Sequence, residues 1–281
     1  MTDARVTALH VYPVKSCAGT ALADATVAVT GLVGDGVRDR EWMIVDPDGR
    51  FLTQREHPRL ALVDVAAGAD GLTLRAPHVP PLHVDGAPSA APARDVVVWR
   101  SEVRGFDAGD AAAAWLTAWL GTPVRLVRFD RSHERACNPE FAGDSGAHTL
   151  FADGYPVLVI GEGSLHELNE RMARFGEPAL PMNRFRPNVV IAGLPPFAED
   201  HVDTLRIGAV ELKLVKPCVR CQVTTTDQGN GAVGIEPLRT LGGFRTDERF
   251  AGVTFGMNAI VSAGAGSPIA VGMPVAVDYR F

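Results

Sequence analysis

The sequence predicts a β-rich α/β fold, with barrel-like sheets and a few packed helices. Short apolar or alternating runs follow one another closely, and residues 46–49 and 68–71 between them have the Asp, Pro and Gly composition of tight turns. Only one clear helical pattern occurs in each half of the chain. Strands therefore outnumber helices too heavily for a doubly wound, dinucleotide-binding sheet, and strands joined by hairpins favour a barrel or a sandwich.

The first half is predicted to be mostly strands. Residues 78–93 interrupt them, because four prolines there disfavour a regular central strand or helix, and we expect a surface loop. A helix is predicted over residues 110–120, since Asp110 suits its start and Gly121 its end. The predicted strands of this half are residues 6–14, 41–45, 51–54, 60–65, 72–74 and 124–129.

The second half is predicted to begin with a polar, irregular loop over residues 131–148. Its clearest helix is expected to begin at Ser164, which forms a capping box with Glu167, and to end before Gly176. The remaining segments are predicted strands: residues 157–160, 188–192, 204–207, 210–215, 221–226, 259–262 and 275–279. At 281 residues, the chain is long enough for two closely packed units, residues 1–125 and residues 126–281.

Composition and charge exclude several classes of function. The 27 basic and 33 acidic residues give a formal net charge of −6, which argues against a general nucleic-acid binder. The longest apolar runs are far shorter than a membrane span, and the first residues lack the apolar segment of a secretory signal. Four cysteines are too few for a disulfide scaffold. We therefore expect a cytoplasmic protein without nucleic-acid or membrane partners.

The sharpest chemical feature is the run Cys218-Val219-Arg220-Cys221. Lys216 and Arg220 place positive charge beside two thiols, which favours the thiolate that soft metals bind. A structural zinc site needs four ligands, and a second cysteine pair is missing. A thioredoxin-like dithiol opens a helix, whereas the β-branched residues 223–226 disfavour one. Burial of both cysteines as small hydrophobic residues is the plainest alternative, and the spacing alone does not decide.

Two further segments carry polar groups suited to an anionic, hydrogen-bonding ligand. Residues 182–188 lead into a strand and combine two arginines with two asparagines, although such a loop also serves simply to satisfy backbone groups. Residues 12–19 end a strand with Lys15 and Ser16, a suitable place for phosphate contacts, but the spacing of a P-loop is absent. Residues 38–41 alternate in charge, and taken alone they are expected to form a solvated, self-paired edge.

Taken in order, these segments resemble the MOSC proteins, in the class with an N-terminal MOSC β-barrel domain. This class includes the mitochondrial amidoxime-reducing components and bacterial reductases of N-hydroxylated bases. The resemblance extends from about residue 6 to residue 278. It implies a β-barrel-centred MOSC fold whose two domains share a molybdenum-cofactor site. The matching segments are Val-Tyr-Pro-Val-Lys-Ser-Cys at 11–17, Arg-Asp-Arg-Glu-Trp-Met at 38–43, Phe-Ala-Asp-Gly-Tyr-Pro at 151–156, Asn-Arg-Phe-Arg-Pro-Asn at 183–188 and Cys-Val-Arg-Cys at 218–221.

The resemblance also implies roles for single residues. Cys221 matches the thiolate ligand of molybdenum, and Cys218 is its neighbour. Asp153 lies in the segment that approaches the cofactor in relatives, where Gly154-Tyr155 stand in place of a Thr-Ser pair. The cations and amides of the other matching positions suit an anionic cofactor with a hydrogen-bonding heterocycle. These cofactor-binding residues are Lys15, Ser16, Arg40, Arg186, Asn188 and Arg220.

The function implied is an oxidoreductase that abstracts oxygen from N-hydroxylated small molecules such as amidoximes, hydroxylamines and N-hydroxylated bases. Because an iron–sulfur domain does not follow, electrons are expected from a separate ferredoxin-, flavodoxin- or cytochrome b5-type protein and its reductase. Two alternatives stay open: a sulfur carrier or cofactor-handling protein that uses a Cys221 persulfide, and a non-catalytic binding module. The polar loop over residues 131–148 is a candidate gate of the site.

Overall fold

Strands form the largest share of the regular structure, which confirms the β-rich fold class with a few helices. The computed structural model describes residues 3–68, 70–86 and 93–280. The strands of these residues are β1 (Arg5–Val11), β2 (Thr20–Leu22), β3 (Asp24–Ala28), β4 (Gly31–Gly34), β5 (Val37–Arg38), β6 (Trp42–Val45), β7 (Asp64–Gly68), β8 (Gly71–Ala76), β9 (Val79–Asp85), β10 (Arg94–Val98), β11 (Ser101–Asp107), β12 (Arg125–Phe129), β13 (Arg135–Ala136), β14 (His148–Thr149), β15 (Val157–Gly161), β16 (Val189–Ala192), β17 (Val202–Ile207), β18 (Val210–Val219), β19 (Thr246–Asp247), β20 (Gly252–Ala263), β21 (Pro268–Ala270) and β22 (Ala276–Tyr279). The α-helices are α1 (Asp110–Leu120), α2 (Pro139–Ala142), α3 (Glu162–Ala173) and α4 (Leu238–Gly242).

The largest sheet combines strands from both halves of the chain. Its order is β2-β1-β16-β15-β20-β18-β17-β22, with β19 paired to β20. Strand β15 is a continuous apolar run that is buried throughout, as expected for a strand covered on both faces. The core against this sheet takes Val6 and Leu9 from β1 and Val189 from β16. The first strand of the chain is therefore built into the sheet of the second half.

The first half forms three smaller sheets and one helix. The sheets have the orders β10-β11-β12-β6, β7-β8-β9 and β21-β3-β4-β5, so one strand from the end of the chain joins the third. Helix α1 buries Leu116 and Trp119 in a second core. Asp110, expected to cap the helix, is its first residue, and Gly109 precedes it without a side-chain cap. The helix ends at Gly121 as predicted, where a φ of 74° lets the backbone N–H bond to Thr117 O at 2.8 Å. Among the described residues, no helix combines the length and apolar character that a membrane crossing requires.

Three predicted elements of the first half differ from the structure. Residues 58–62 form a 3-10 helix with a proline in its first turn, and the strand begins only at Asp64. Residues 51–54 contribute an isolated bridge rather than a strand. The proline-rich loop expected over residues 78–93 contains β9, an edge strand in which Pro80 and Pro81 are exposed. Ala69 and residues 87–92, also within predicted turns and loops, lie outside the described residues.

Local hydrogen bonds explain two differences in the second half. The loop predicted over residues 131–148 contains β13, α2 and the first residue of β14, and Asn138 caps α2 through a bond from Glu140 N at 3.1 Å. Residues 222–225 form a 3-10 turn instead of a strand, because Thr224 and Thr225 donate their hydroxyls to carbonyls three residues earlier.

The predicted capping box of the second helix is wrong. Helix α3 begins at Glu162, two residues before Ser164, and it has no side-chain cap. Ser164 Oγ instead lies 2.7 Å from both carboxylate oxygens of the buried Glu199. Glu167 pairs with Arg171 one turn later at 2.7 Å. A long-range partner thus replaces the local one that the sequence spacing suggested.

Candidate active site

The eight residues predicted to form the site line one cleft. Its empty space is about 890 Å³, part of which is open to solvent. Each residue lies just outside a strand of the large sheet or in the loops that approach it, so distant parts of the chain meet here. The eight residues are Lys15, Ser16, Arg40, Asp153, Arg186, Asn188, Arg220 and Cys221.

Basic side chains predominate in the cleft, although the whole chain has a net charge of −6. Six basic side chains line it against one carboxylate, that of Asp153. In a surface groove with equal numbers of basic and acidic side chains the charges would cancel. An excess of basic side chains, as here, attracts anions. The basic residues are Lys15, Arg40, Arg55, Arg184, Arg186 and Arg220.

Lys15 and Asp153 form an ion pair on one wall of the cleft. Lys15 Nζ lies 2.5 Å from Asp153 Oδ1 and donates to Phe151 O at 2.9 Å. Burial lowers the pKa of Lys15, and the Asp153 carboxylate only partly offsets this. Burial alone would raise the pKa of Asp153, but the charge and hydrogen bond of Lys15 outweigh it and lower that pKa. Asp153 is therefore a fixed anion near neutral pH and suits a positioning task better than proton donation.

Arg40 is held by a buried network. Its guanidinium lies 2.5 Å from Asp39 Oδ2, 3.2 Å from Asn188 Oδ1 and 4.2 Å from the ring centre of Tyr12. Asn188 is 1% exposed, and its side chain makes four hydrogen bonds: Oδ1 accepts from Arg40 and Leu158 N, and Nδ2 donates to Asp39 and His10 O. Because these bonds use its full donor and acceptor capacity, Asn188 acts here by positioning Arg40.

Two arginines offer groups that the protein leaves unused. Arg186 Nη2 and Arg220 Nη2 are buried and have no hydrogen-bond partner within the described residues. The other nitrogens of Arg220 are committed, since Nε donates to Phe255 O at 2.8 Å and Nη1 to Phe185 O at 3.0 Å. A buried N–H without an acceptor costs free energy, and the oxygens of an anion bound in the cleft would accept hydrogen bonds from both Nη2 groups. The residues present therefore fit an anionic, hydrogen-bonding ligand.

Backbone strain is concentrated at the cleft. Ser16, Arg40 and Arg186 have φ values of 68°, 48° and 56°, in the left-handed region that non-glycine residues seldom adopt. Trp99, which also lines the cleft, has a φ of 57°. Such conformations persist where the surrounding structure enforces them, and they cluster at binding sites.

Cys221 is the one cysteine of the four with an exposed side chain. It begins the 3-10 turn, and its carbonyl accepts from Thr224 N at 3.1 Å and from Thr224 Oγ1 at 3.0 Å. Cys218 also lines the cleft but is half-buried, and burial raises the pKa of its thiol. Burial also raises the pKa of Cys17 to about 12 and that of Cys137 to about 11. Only Cys221 thus presents its sulfur openly to the cleft.

The structure narrows the alternatives for the cysteine pair. Joint burial as small hydrophobic residues is wrong, because Cys221 is exposed. In residues 3–68, 70–86 and 93–280, no group of three or more His, Cys, Asp and Glu side chains is arranged to hold a metal ion. A zinc site with only protein ligands is therefore not supported there.

Arg184, one of the two arginines that the sequence pattern of residues 182–188 singled out, holds the turn after Cys221. It donates to Thr225 O at 3.0 Å and to Asp227 Oδ2 at 2.9 Å. Three other side chains, in the cleft or beside it, were not predicted from the sequence. Gln54 and Gln228 bond reciprocally at 3.1 and 2.9 Å, and so join the two halves. Trp99 is a lone tryptophan at the turn between β10 and β11, and its sequence context carried no signal.

Comparison with known proteins identifies related sequences. The model of the MOSC N-terminal beta barrel domain matches residues 3–123, and that of the MOSC domain matches residues 146–276. Mitochondrial amidoxime reducing component 2 of Bos taurus is 38% identical over 245 residues, which cover 85% of this chain and 72% of that protein. Mitochondrial amidoxime-reducing component 1 of Homo sapiens is 37% identical over 249 residues, with the same coverage of 85% and 72%.

One solved structure spans nearly the whole chain. The YuaD protein from Bacillus subtilis covers 99% of this chain and 97% of its own, at a TM-score of 0.42 and 12% identity. This likeness is too weak to support a conclusion.

Proposed function

The chain belongs to the MOSC family, in the class with an N-terminal beta barrel domain, and on that basis we propose that it is a molybdenum-cofactor oxidoreductase. Its substrates are N-hydroxylated small molecules such as amidoximes, hydroxylamines and N-hydroxylated bases. The names of its relatives, which are amidoxime-reducing components, support a reductase. The observation that carries the proposal is one cationic cleft in which an open thiol faces buried arginines with unused donors.

Seven side chains of the cleft have a task in this proposal. Cys221 would supply the thiolate that holds the metal, and the hydrogen bond from Thr224 Oγ1 to its carbonyl anchors its backbone. Arg186 and Arg220 give their free Nη2 groups to the anionic part of the cofactor, while Lys15, Ser16 and Arg40 line the same wall. Asp153 fixes the ammonium group of Lys15. When bound, the cofactor supplies the two-electron chemistry by which oxygen leaves nitrogen.

A separate electron donor belongs to this proposal. Reduction of an N–O bond needs two electrons and two protons, and within the described residues no cluster of ligands would hold a second redox metal. We propose a ferredoxin-, flavodoxin- or cytochrome b5-type protein with its reductase. A cytoplasmic location also stays a proposal, since the relatives bear the word mitochondrial in their names.

A sulfur carrier is the second candidate, and the exposure of Cys221 favours it equally. A thiolate in a cationic cleft can hold a persulfide as well as a metal. Analysis of protein purified from a host that makes the cofactor separates the two. Stoichiometric molybdenum with a pterin phosphate supports the reductase, whereas cyanolysable sulfane sulfur without molybdenum supports the carrier.

Substitution of Cys221 tests the reductase directly. We expect Cys221→Ser to abolish amidoxime reduction with an artificial one-electron donor, while its circular dichroism stays that of the wild type. Cys137→Ala is the control, because Cys137 lies in a separate core and outside the cleft lining. Turnover retained in Cys221→Ser would refute the assignment. If Cys218→Ser lost molybdenum and Cys221→Ser retained it, Cys218 would be the metal ligand instead of Cys221.

A further inference from the structure

A side pocket adjoins the cleft and shares a wall with it. The pocket is lined by Arg50, Phe51, Thr53, Arg55, Glu56, Val97 and Trp99. Thr53, Arg55 and Trp99 also line the main cleft, so these three side chains stand between the two spaces. None of them has a role in holding the cofactor in the function proposed above.

Trp99 is the central feature of this wall. Its indole Nε1 donates to Asp153 Oδ1 at 3.0 Å, which ties it to the ion pair of Lys15. The ring centre of Phe51 lies 5.1 Å away, and the guanidinium carbon of Arg55 lies 4.7 Å from the indole centre. Trp99 nevertheless remains 43% exposed. The indole of Trp99 is thus fixed at its N–H and has an exposed surface at the border of the cleft.

The backbone of Trp99 adds an independent observation. With a φ of 57°, this bulky residue occupies the left-handed region in the turn between β10 and β11. Glycine or asparagine suits such a position much better than tryptophan. Strained positions of this kind mark functional sites when the surroundings hold them in place, as the hydrogen bond to Asp153 and the contact with Arg55 do here.

We propose that Trp99, backed by Arg55, is the wall on which planar, π-rich substrates stack. The proposal rests on the function proposed above and specifies its substrate class: N-hydroxylated compounds that carry an aryl group or a heterocycle directly beside the N-hydroxylated group. The flat part of the substrate lies against the indole, and its N–O group points into the cleft that contains Cys221. Offset stacking of aromatic rings supplies the preference over aliphatic analogues.

Binding and turnover of a matched pair of substrates test the wall. Benzamidoxime and acetamidoxime carry the same reacting group, with and without an aromatic ring. In the molybdenum-loaded protein, we expect Trp99→Ala to weaken benzamidoxime binding, measured by calorimetry, by about tenfold or more, and acetamidoxime binding by less than about threefold. Trp99→Phe keeps a ring but loses the N–H, and we expect it to retain most of the preference.

Each outcome bears on one proposal. If Trp99→Ala weakens the binding of both substrates equally, or if Trp99→Phe weakens benzamidoxime binding as much as Trp99→Ala does, the stacking wall is overturned. Trp99 would then serve only to support Asp153. In turnover, the wall requires the change to lie in KM for benzamidoxime, with kcat nearly constant. If wild-type protein binds benzamidoxime through Trp99 but reduces neither compound, the wall stands and the proposed reductase function fails.

Discussion

Asp39 is a buried carboxylate that holds Arg40 and Asn188 of the cleft in place. It is 1% exposed, and its Oδ1 accepts from Tyr12 N and from Asn188 Nδ2, both at 2.9 Å. Its other oxygen pairs with Arg40. The alternating charges of residues 38–41 had suggested a solvated edge, which is wrong for Asp39 and for Glu41, both buried. An alternating charge pattern in the sequence looks the same whether the ion pair is exposed to solvent or buried.

The asparagine variant of Asp39 measures this dependence. Asp39→Asn removes the counter-charge of Arg40. Because both oxygens of Asp39 accept hydrogen bonds, the new amide NH2 group would face at least one N–H donor of Tyr12, Asn188 or Arg40. We expect the free energy of unfolding to fall by about 3 kcal/mol, as when one partner of a buried pair is lost. Urea denaturation measures the change. Asp48→Asn, at an exposed turn position, is the control, and equal midpoints for the two variants would contradict the prediction.

The sequence could predict which residues lie together where they stand in dense motifs, whereas their roles stay predictions. Lys15, Arg186 and Cys221 each lie among several matching neighbours, and the structure brings them to one cleft. Trp99 and Gln54 could not be predicted, because their partners Asp153 and Gln228 lie 54 and 174 residues away. Contacts over such separations depend on the fold, and local patterns carry no information about them.

At the scale of elements, helix α3 shows why local rules failed. Glu199, in the 3-10 turn Ala198–His201, accepts from Gly161 N at 3.1 Å and from Ser164 Oγ at 2.7 Å. A distant carboxylate thus satisfies backbone and side-chain donors at the start of the helix, and Ser164 is not available as a cap. Burial raises the pKa of Glu199, and the hydrogen bonds only partly offset this.

This raised pKa predicts a pH dependence of stability. Between the ordinary value of 4.5 and its higher folded value, Glu199 binds its proton more tightly in the folded state. The contribution of Glu199 to the free energy of unfolding therefore decreases as the pH rises through this range. Glu199→Gln keeps an oxygen acceptor and has no charge. We therefore expect the stability of the wild type relative to this variant, measured by urea denaturation at a series of pH values, to fall as the pH rises above 4.5. A difference independent of pH would contradict the raised pKa.

At the scale of the whole molecule, the two halves are interlocked. Strands β1 and β2 lie in the sheet of the second half, and Val27 and Leu32 of the first half belong to the same core as Val159. Gln54 and Gln228 add a polar link beside the cleft. The division between residues 125 and 126 stays a prediction. Because the two halves share a sheet and a core, it divides the sequence and does not separate two independent domains. A site shared between the halves is rigid only while both remain folded.

Unfolding should therefore occur in a single step. All four tryptophans, Trp42, Trp99, Trp115 and Trp119, lie in the first half, so their fluorescence reports on it alone. Cys137 of the second half is buried, and its reaction with a thiol reagent reports on the unfolding of that half. Because removal of the first half would uncover one edge of β16 and much of the shared core, we expect both signals to change at the same urea concentration. If the tryptophan transition preceded the exposure of Cys137, the halves would be independent, and the shared strand would contribute little to their stability.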